Sequence, residues 1–194
     1  MARVDVDIAE VVRRLARAQV NLEGGLSEQE LSAVEARFGI SFNPAHRGLL
    51  AAALPVGEEW MDWRHGAADD LQRRLDWPVD GIVFDVHENS FWPRSWGPRP
   101  ASPADAERVA RRHLERVPVL IPVYSHRCAP AAPASGDSPI FSVYQSDVVV
   151  YGDNLLDYVA HEFGAGPRVP TPEDQRPKVP FWSSLVAGAH NDDL

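Results

Sequence analysis

Carboxylate and imidazole side chains recur in two parts of the sequence, where they could meet around a divalent cation. Asp85, His87 and Glu88 lie within four consecutive residues, and His126 follows further along. Imidazole and carboxylate groups bind divalent metals, which can activate water for hydrolysis. Cys128 and Asp147 complete this set. No pair has a diagnostic spacing, and polar residues at a strand end usually bond to backbone or water. A metal-dependent enzyme is therefore the alternative hypothesis.

A zinc-protease signature is half present near the end of the last predicted helix. His161 and Glu162 begin an H-E-x-x-H pattern, but Ala165 stands where the second histidine is required. The phosphate-binding and serine-hydrolase signatures G-x-x-x-x-G-K-[ST] and G-x-S-x-G do not occur. The sole lysine, Lys178, lies in a proline-rich tail, away from a desolvated site. We therefore predict a protein without enzyme activity, catalytic residues, metal or cofactor.

The loop at residues 89–103 is rich in proline and tryptophan, and Arg94 lies between Trp92 and Trp96. Two indoles and a guanidinium can form a cation–π cluster, and tryptophan and arginine dominate the binding energy of many protein interfaces. One hypothesis is that these three residues anchor a partner protein. The other is that they form a hydrophobic cluster that holds the long loop against the sheet. The sequence leaves both open.

Composition restricts the partner and the compartment. The 194 residues include 28 acidic and 19 basic ones, a net charge of −9, and one cysteine. A nucleic-acid partner is not expected, because phosphate contacts need clustered basic side chains. No apolar run is long enough to span a membrane, and the N-terminus lacks a signal-peptide pattern. Since one cysteine forms no internal disulfide, we expect a cytoplasmic protein without membrane association.

Two stretches, 19–36 and 128–167, contain acidic residues and no basic one. If they share a surface, that surface could steer a basic protein partner. The alternative is that an acidic protein simply keeps solvated acidic surfaces. Asp147 and Asp153 lie in the second stretch and are candidate partner-binding residues.

Hydrophobic periodicity and capping residues give the predicted elements. Helices are expected at 7–17, 27–38, 43–54, 67–75, 103–116 and 155–163, and strands at 81–86, 119–124, 140–145 and 147–151. Trp77-Pro78 predicts the end of the fourth helix. The last two strands form either a tight hairpin or one bent strand. Helices first, then strands with interspersed helices, indicate an α+β fold.

Several segments resemble the SUKH superfamily of Smi/Knr-type domains, in family order across roughly residues 24–163. They are GLSEQEL at 25–31 with 38–40 and 43–44, the aromatic segments 89–92 and 96–100, LIPVYSHR at 120–127, PIFSVYQSD at 139–147 and YGDNL at 151–155. The last three carry most of the specificity. Two features depart from the family: GDSP at 136–139 is one residue longer than its usual Gly-Asn-Pro turn, and the helix before Gln19 is not covered.

The resemblance implies a central, mostly antiparallel sheet with helices packed mainly on one side. It divides the chain into an N-terminal helical extension (1–23), the SUKH-like domain (24–165) and a proline-rich C-terminal tail that packs on the domain (166–194). The implied function is noncovalent protein binding, in many bacterial members as an immunity protein that neutralises a cognate toxin. A regulatory scaffold without a toxin partner is the other reading. Arg127 and Asp147 either contact the partner or form an internal ion pair; the oligomeric state is not predicted.

Overall fold

Side-chain caps begin five of the helices that the sequence predicts. In the computed structural model, which describes residues 6–168 and 171–187, the Ser27 hydroxyl accepts a hydrogen bond from the Glu30 N–H (3.2 Å). The Glu30 carboxylate accepts one in return from the Ser27 N–H (2.7 Å), which completes the capping box. Gly39 ends this helix in the left-handed conformation (φ 63°). Asn43 caps the next helix, with Pro44 at its first position.

Within the described ranges there are seven α-helices and six strands. The helices are α1 Ile8–Arg17, α2 Glu28–Phe38, α3 Pro44–Ala52, α4 Ala68–Glu88, α5 Pro103–Leu114, α6 Leu155–Phe163 and α7 Trp182–Val186. The strands are β1 Leu22–Gly24, β2 Ala53–Pro55, β3 Leu120–Tyr124, β4 Arg127–Pro130, β5 Ile140–Tyr144 and β6 Asp147–Gly152. None of these helices has the length and apolar composition needed to cross a bilayer.

Helix α4 corrects two of the predictions. The helix predicted to end at Trp77-Pro78 continues to Glu88 and has 21 residues in all, and the strand predicted at 81–86 belongs to its second half. Pro78 lies inside the helix and is itself buried. An interior proline costs about 3 kcal/mol, but burying one large apolar side chain gains about 1.5–3 kcal/mol. The buried residues Leu71, Leu75, Ile82 and Val86 follow helical spacing across the proline, so packing outweighs the local penalty.

The main sheet is antiparallel, with strand order β3-β4-β5-β6. Strand β4 was not predicted, because four residues show no clear alternation. Strands β5 and β6 form the tight hairpin rather than one bent strand: Tyr144 pairs with Asp147, and Gln145 takes the left-handed conformation (φ 59°). The small sheet β1-β2, with three residues a strand, was also not predicted. An antiparallel α+β fold is confirmed.

Apolar clusters cover both faces of the main sheet. Phe141 and Val143 pack in a cluster with residues of α4, α5 and α7. Val123 and Ile140 pack in another cluster with residues of α1, α3 and α6. Successive strand residues point to opposite faces of the sheet, and both sets are apolar here, so each face packs against helices. The N-terminal helix α1 and the C-terminal helix α7 therefore both contribute to the core.

Candidate functional site

A groove opens on the surface between the first half of α4 and three loops. The loops are the segment at 57–60, the β3-β4 turn and the β5-β6 turn, and the groove has a volume of about 770 Å³. Its walls carry aromatic, carboxylate and imidazole groups together, whereas Cys128 belongs to its floor and is buried. The lining side chains include Glu58, Glu59, Asp76, Trp77, His126 and Tyr144.

Two large aromatic side chains line this groove while remaining open to solvent. Trp77 is 51% exposed and Tyr144 is 59% exposed. The other five tryptophans of the chain are each at most 9% exposed. Single exposed apolar residues are common, but two aromatic rings in one groove are typical of a binding surface. Trp77 and Tyr144 are therefore the most accessible apolar contacts that this groove offers.

Arg74 fixes the segment that carries Glu58 and Glu59. Its guanidinium donates hydrogen bonds to the backbone carbonyls of Trp60 and Glu59, both at 2.7 Å. The Glu59 carbonyl also accepts from the Ser125 N–H at 2.8 Å, which ties the segment to the β3-β4 turn. Burial lowers the pKa of Arg74, and the two carbonyls satisfy its donors. This wall of the groove is thus held from two sides.

Asp85 fixes the turn that carries Tyr144. Its buried carboxylate accepts hydrogen bonds from the Ser146 N–H (2.8 Å) and the Ser146 hydroxyl, and from the Asn89 side chain (2.6 Å). The turn lies so close to α4 that a Cβ on Gly81 would stand 3.0 Å from the Gln145 Cα. A side chain at this position would require the turn to move away by a few tenths of an ångström. Asp85 therefore positions Tyr144 through the hairpin turn.

We expect Asp85→Ala to lower the free energy of unfolding by about 1–3 kcal/mol, because it leaves the partly buried N–H and hydroxyl donors of Ser146 without their acceptor. Urea denaturation measures this loss, and the NMR signals of Tyr144 report the loosened turn. Glu88→Ala is the matched control, since Glu88 is exposed on the same helix. Equal stability of the two variants would contradict the role assigned to Asp85.

The groove carries more negative than positive charge. Four carboxylates line it, on Glu58, Glu59, Asp76 and Asp80, against two guanidinium groups, on Arg73 and Arg74. Asp80 bonds to Arg111 (3.1 Å) outside the groove. In the part of the chain that the structure describes, the Glu58 and Glu59 carboxylates form no ion pair. They are free to meet a cation from a partner.

His126 adds an imidazole at the groove wall. Burial and the neighbouring Arg127 both lower the pKa of His126. The imidazole is therefore neutral at pH 7, and the negative charge of the groove is not offset by a histidine cation.

The aromatic loop predicted as a partner anchor is an internal cluster. Trp92 and Trp96 are each 9% exposed, and their rings meet edge to face at 5.3 Å. Trp96 also stacks on His113, and the Trp92 indole N–H donates to the Gly97 carbonyl at 2.8 Å. Arg94 lies exposed on the short 3-10 turn between them. The two indoles hold the loop to the core, as in the second hypothesis, and do not present a surface to a partner.

Arg127 and Asp153 are also committed to internal contacts. Arg127 bonds to Glu162 (3.0 Å) and Ser142 (2.6 Å), so the internal pair expected with Asp147 is made with Glu162 instead. Asp153 is 3% exposed and pairs with Arg176 at 2.7 Å. It thereby ties the C-terminal segment to the main body of the fold. Asp147 lies exposed at the β5-β6 turn, beside the groove.

The residues of the predicted metal set do not come together. Asp85 binds the hairpin turn, His87 contacts Glu107 (3.0 Å), Glu88 is exposed, and His126 lies at the groove. Burial raises the pKa of Cys128 to about 12, so its thiol is protonated. Across residues 6–168 and 171–187, no three His, Cys, Asp or Glu side chains are arranged to hold a metal ion.

The two acidic stretches are largely neutralised within the fold. Arginines from other segments pair with their carboxylates, as in Glu28–Arg47, Glu30–Arg64, Asp157–Arg168 and Glu162–Arg127. The hydrogen bond from Arg64 is the main cause that lowers the pKa of Glu30 to about 2. Most carboxylates of the two stretches are therefore paired internally, and the Glu58 and Glu59 carboxylates at the groove lie outside both stretches.

No motif in the sequence marks Trp77, Tyr144, Glu58 or Glu59 as binding residues. The available signal was Trp77, which lies off the apolar stripe of Leu71, Leu75 and Ile82 once α4 is taken as one helix. Comparison with known proteins gave no match: no family model, curated protein or solved structure matches this chain.

Proposed function

We propose that this protein is a non-enzymatic binding protein whose groove receives a basic segment of a partner protein. The observation that carries the proposal is the pair of exposed rings, Trp77 and Tyr144, in one groove with Glu58 and Glu59, whose carboxylates form no ion pair within the described residues. Aromatic side chains in a concave site provide most of the binding energy at protein interfaces. Unpaired carboxylates nearby favour a positively charged partner and speed its encounter.

The proposed biological role is that of an immunity protein that neutralises a toxin in the cytoplasm. The resemblance of residues 120–127, 139–147 and 151–155 to the SUKH superfamily supports this role, because many bacterial members bind toxins. A toxin that acts on nucleic acid would present the basic surface that this groove complements. A fixed groove suits tight binding, since little conformational entropy is lost when the partner docks.

Binding of the toxin domain encoded by a neighbouring gene tests the proposal. We expect the two proteins to form a complex. Trp77→Ala and Tyr144→Ala should each lower its affinity at least about 30-fold, the loss typical of a central aromatic contact. Calorimetry measures the affinity, and repeating it at higher salt should weaken binding further, because the charges are exposed. Phe84→Ala is the matched control: Phe84 is 49% exposed on α4 but does not line the groove.

Two results would overturn the proposal. One is the absence of a complex with any neighbouring gene product. The other is a complex that Trp77→Ala and Tyr144→Ala leave as tight as Phe84→Ala does.

A further inference from the structure

We infer that the group which enters the groove is an arginine side chain of the partner, with its guanidinium against Trp77 and Tyr144 and its charge facing Glu58 and Glu59. This inference rests on the proposed function and specifies the chemistry of the partner. Both rings and both carboxylates line the same groove. It is wide enough, at about 770 Å³, to admit a side chain together with part of the segment that bears it.

Arginine fits this combination better than lysine does. A guanidinium is planar and weakly hydrated, so it stacks on an aromatic ring with little loss of solvation. The N–H groups of a stacked guanidinium lie in its own plane, so they stay free to form two parallel hydrogen bonds to a carboxylate. A lysine ammonium is a strongly hydrated point charge and gains less from a flat aromatic surface. The groove offers both requirements of a guanidinium, rings and carboxylates.

The arginines already at the groove do not fill this site. Arg74 uses its donors on the carbonyls of Glu59 and Trp60, and Arg73 pairs with Asp70, one turn earlier on α4. Within residues 6–168 and 171–187, neither guanidinium lies over the ring of Trp77 or Tyr144, and neither forms an ion pair with Glu58 or Glu59. The charge of Glu59 acts on Arg74 only from beyond ion-pair distance. The negative charge is therefore left for an external cation.

The fold contains the same arrangement internally, filled by its own arginine. The Arg127 guanidinium lies 3.7 Å from the centre of the Tyr151 ring and bonds to the Glu162 carboxylate at 3.0 Å. Ring, guanidinium and carboxylate are thus compatible in this protein at a partly buried site, where the Arg127 side chain is 13% exposed. The groove presents the ring and carboxylate parts of this arrangement without the guanidinium.

NMR titration of the isotope-labelled protein tests the inference directly. The probes are three peptides, acetyl-Gly-Arg-Gly-amide and its lysine and citrulline counterparts, where citrulline keeps the planar shape without the charge. We expect the arginine peptide to shift the Trp77 indole N–H, assigned by its loss in Trp77→Phe, and to bind at least about fivefold more tightly than either counterpart. Equal affinity for arginine and lysine peptides would overturn the inference.

The double variant Glu58→Gln, Glu59→Gln tests the counterions. We expect this variant to bind the arginine peptide at least about fivefold more weakly, because that peptide is charged. Its affinity for the uncharged citrulline peptide should change little. The control is Asp69→Asn, which removes an exposed carboxylate of α4 outside the groove. An equal effect of the control, or arginine-induced shifts that lie outside the groove, would contradict the inference.

The two proposals fail in different ways. If Trp77→Ala abolishes the partner complex but the peptides show no preference for arginine, the arginine inference is wrong and the binding function stands. If the arginine peptide binds the groove but Trp77→Ala leaves the affinity for the partner unchanged, the groove is not the partner site and the proposed function is wrong.

Discussion

Trp182→Ala is expected to lower the free energy of unfolding by about 3–5 kcal/mol, the usual cost of removing a buried tryptophan. Trp182 lies on α7 with no exposed surface, in the cluster that holds Ile82 of α4 and Phe141 of β5. Its indole N–H donates to the Pro118 carbonyl at 2.7 Å. The variant therefore opens a cavity and leaves the partly buried Pro118 carbonyl without its donor. This loss is a large part of the 5–15 kcal/mol that stabilises a typical domain.

Urea denaturation followed by circular dichroism measures the effect. Trp182→Phe separates its two causes, because phenylalanine fills most of the cavity but cannot bond to Pro118; we expect a loss of about 1–3 kcal/mol. Trp77→Ala is the matched control, since half of that indole is exposed, and it should cost about 0.5 kcal/mol. A loss below 1 kcal/mol for Trp182→Ala would show that α7 is not part of the cooperative core.

Local signals in the sequence predicted the elements with strong caps. Ser27 with Glu30, Asn43 with Pro44, and Ser102 with Pro103 each begin a helix in the structure. These motifs satisfy backbone groups within a few residues, so their energy does not depend on the rest of the fold.

Elements that depend on distant packing were not predicted. Pro78 indicated a helix end, but the burial of Ile82 and Val86 against the sheet carries α4 through it. Strand β4 has only four residues, and its pairing with β3 and β5 defines it, rather than its own pattern. In both cases tertiary contacts outweigh local propensity.

The groove could not be predicted from the sequence, because four separate parts of the chain form it. Glu58, Trp77, His126 and Tyr144 are brought together only when α4 packs beside the two strand turns. The tryptophan-rich loop gave the stronger sequence signal, yet its indoles are buried. Residue type alone does not distinguish an aromatic anchor from a core residue; exposure does, and exposure is set by the whole fold.

Acid is expected to destabilise the protein well above the range in which carboxylates titrate, because of His46. This residue is 3% exposed, its Nδ1 has no hydrogen-bond partner among the described residues, and its ring packs edge-on against Phe42 at 5.0 Å. Burial lowers the pKa of His46 from 6.5 to about 3. Below pH 6.5 the unfolded chain therefore binds a proton that the folded chain does not, and stability falls as the pH falls.

One proton of difference changes the free energy of unfolding by about 1.4 kcal/mol per pH unit below 6.5, which gives about 2 kcal/mol between pH 7.5 and 5.0. Burial also lowers the pKa of His126, which adds to the loss in the same direction. Urea denaturation across this range measures the slope. His46→Leu should remove most of it, because leucine fills the site without a titratable group, whereas His65→Gln, at an exposed loop position, should leave it unchanged. A slope that persists in His46→Leu would show that other groups cause the loss of stability in acid, which would contradict the role assigned to His46.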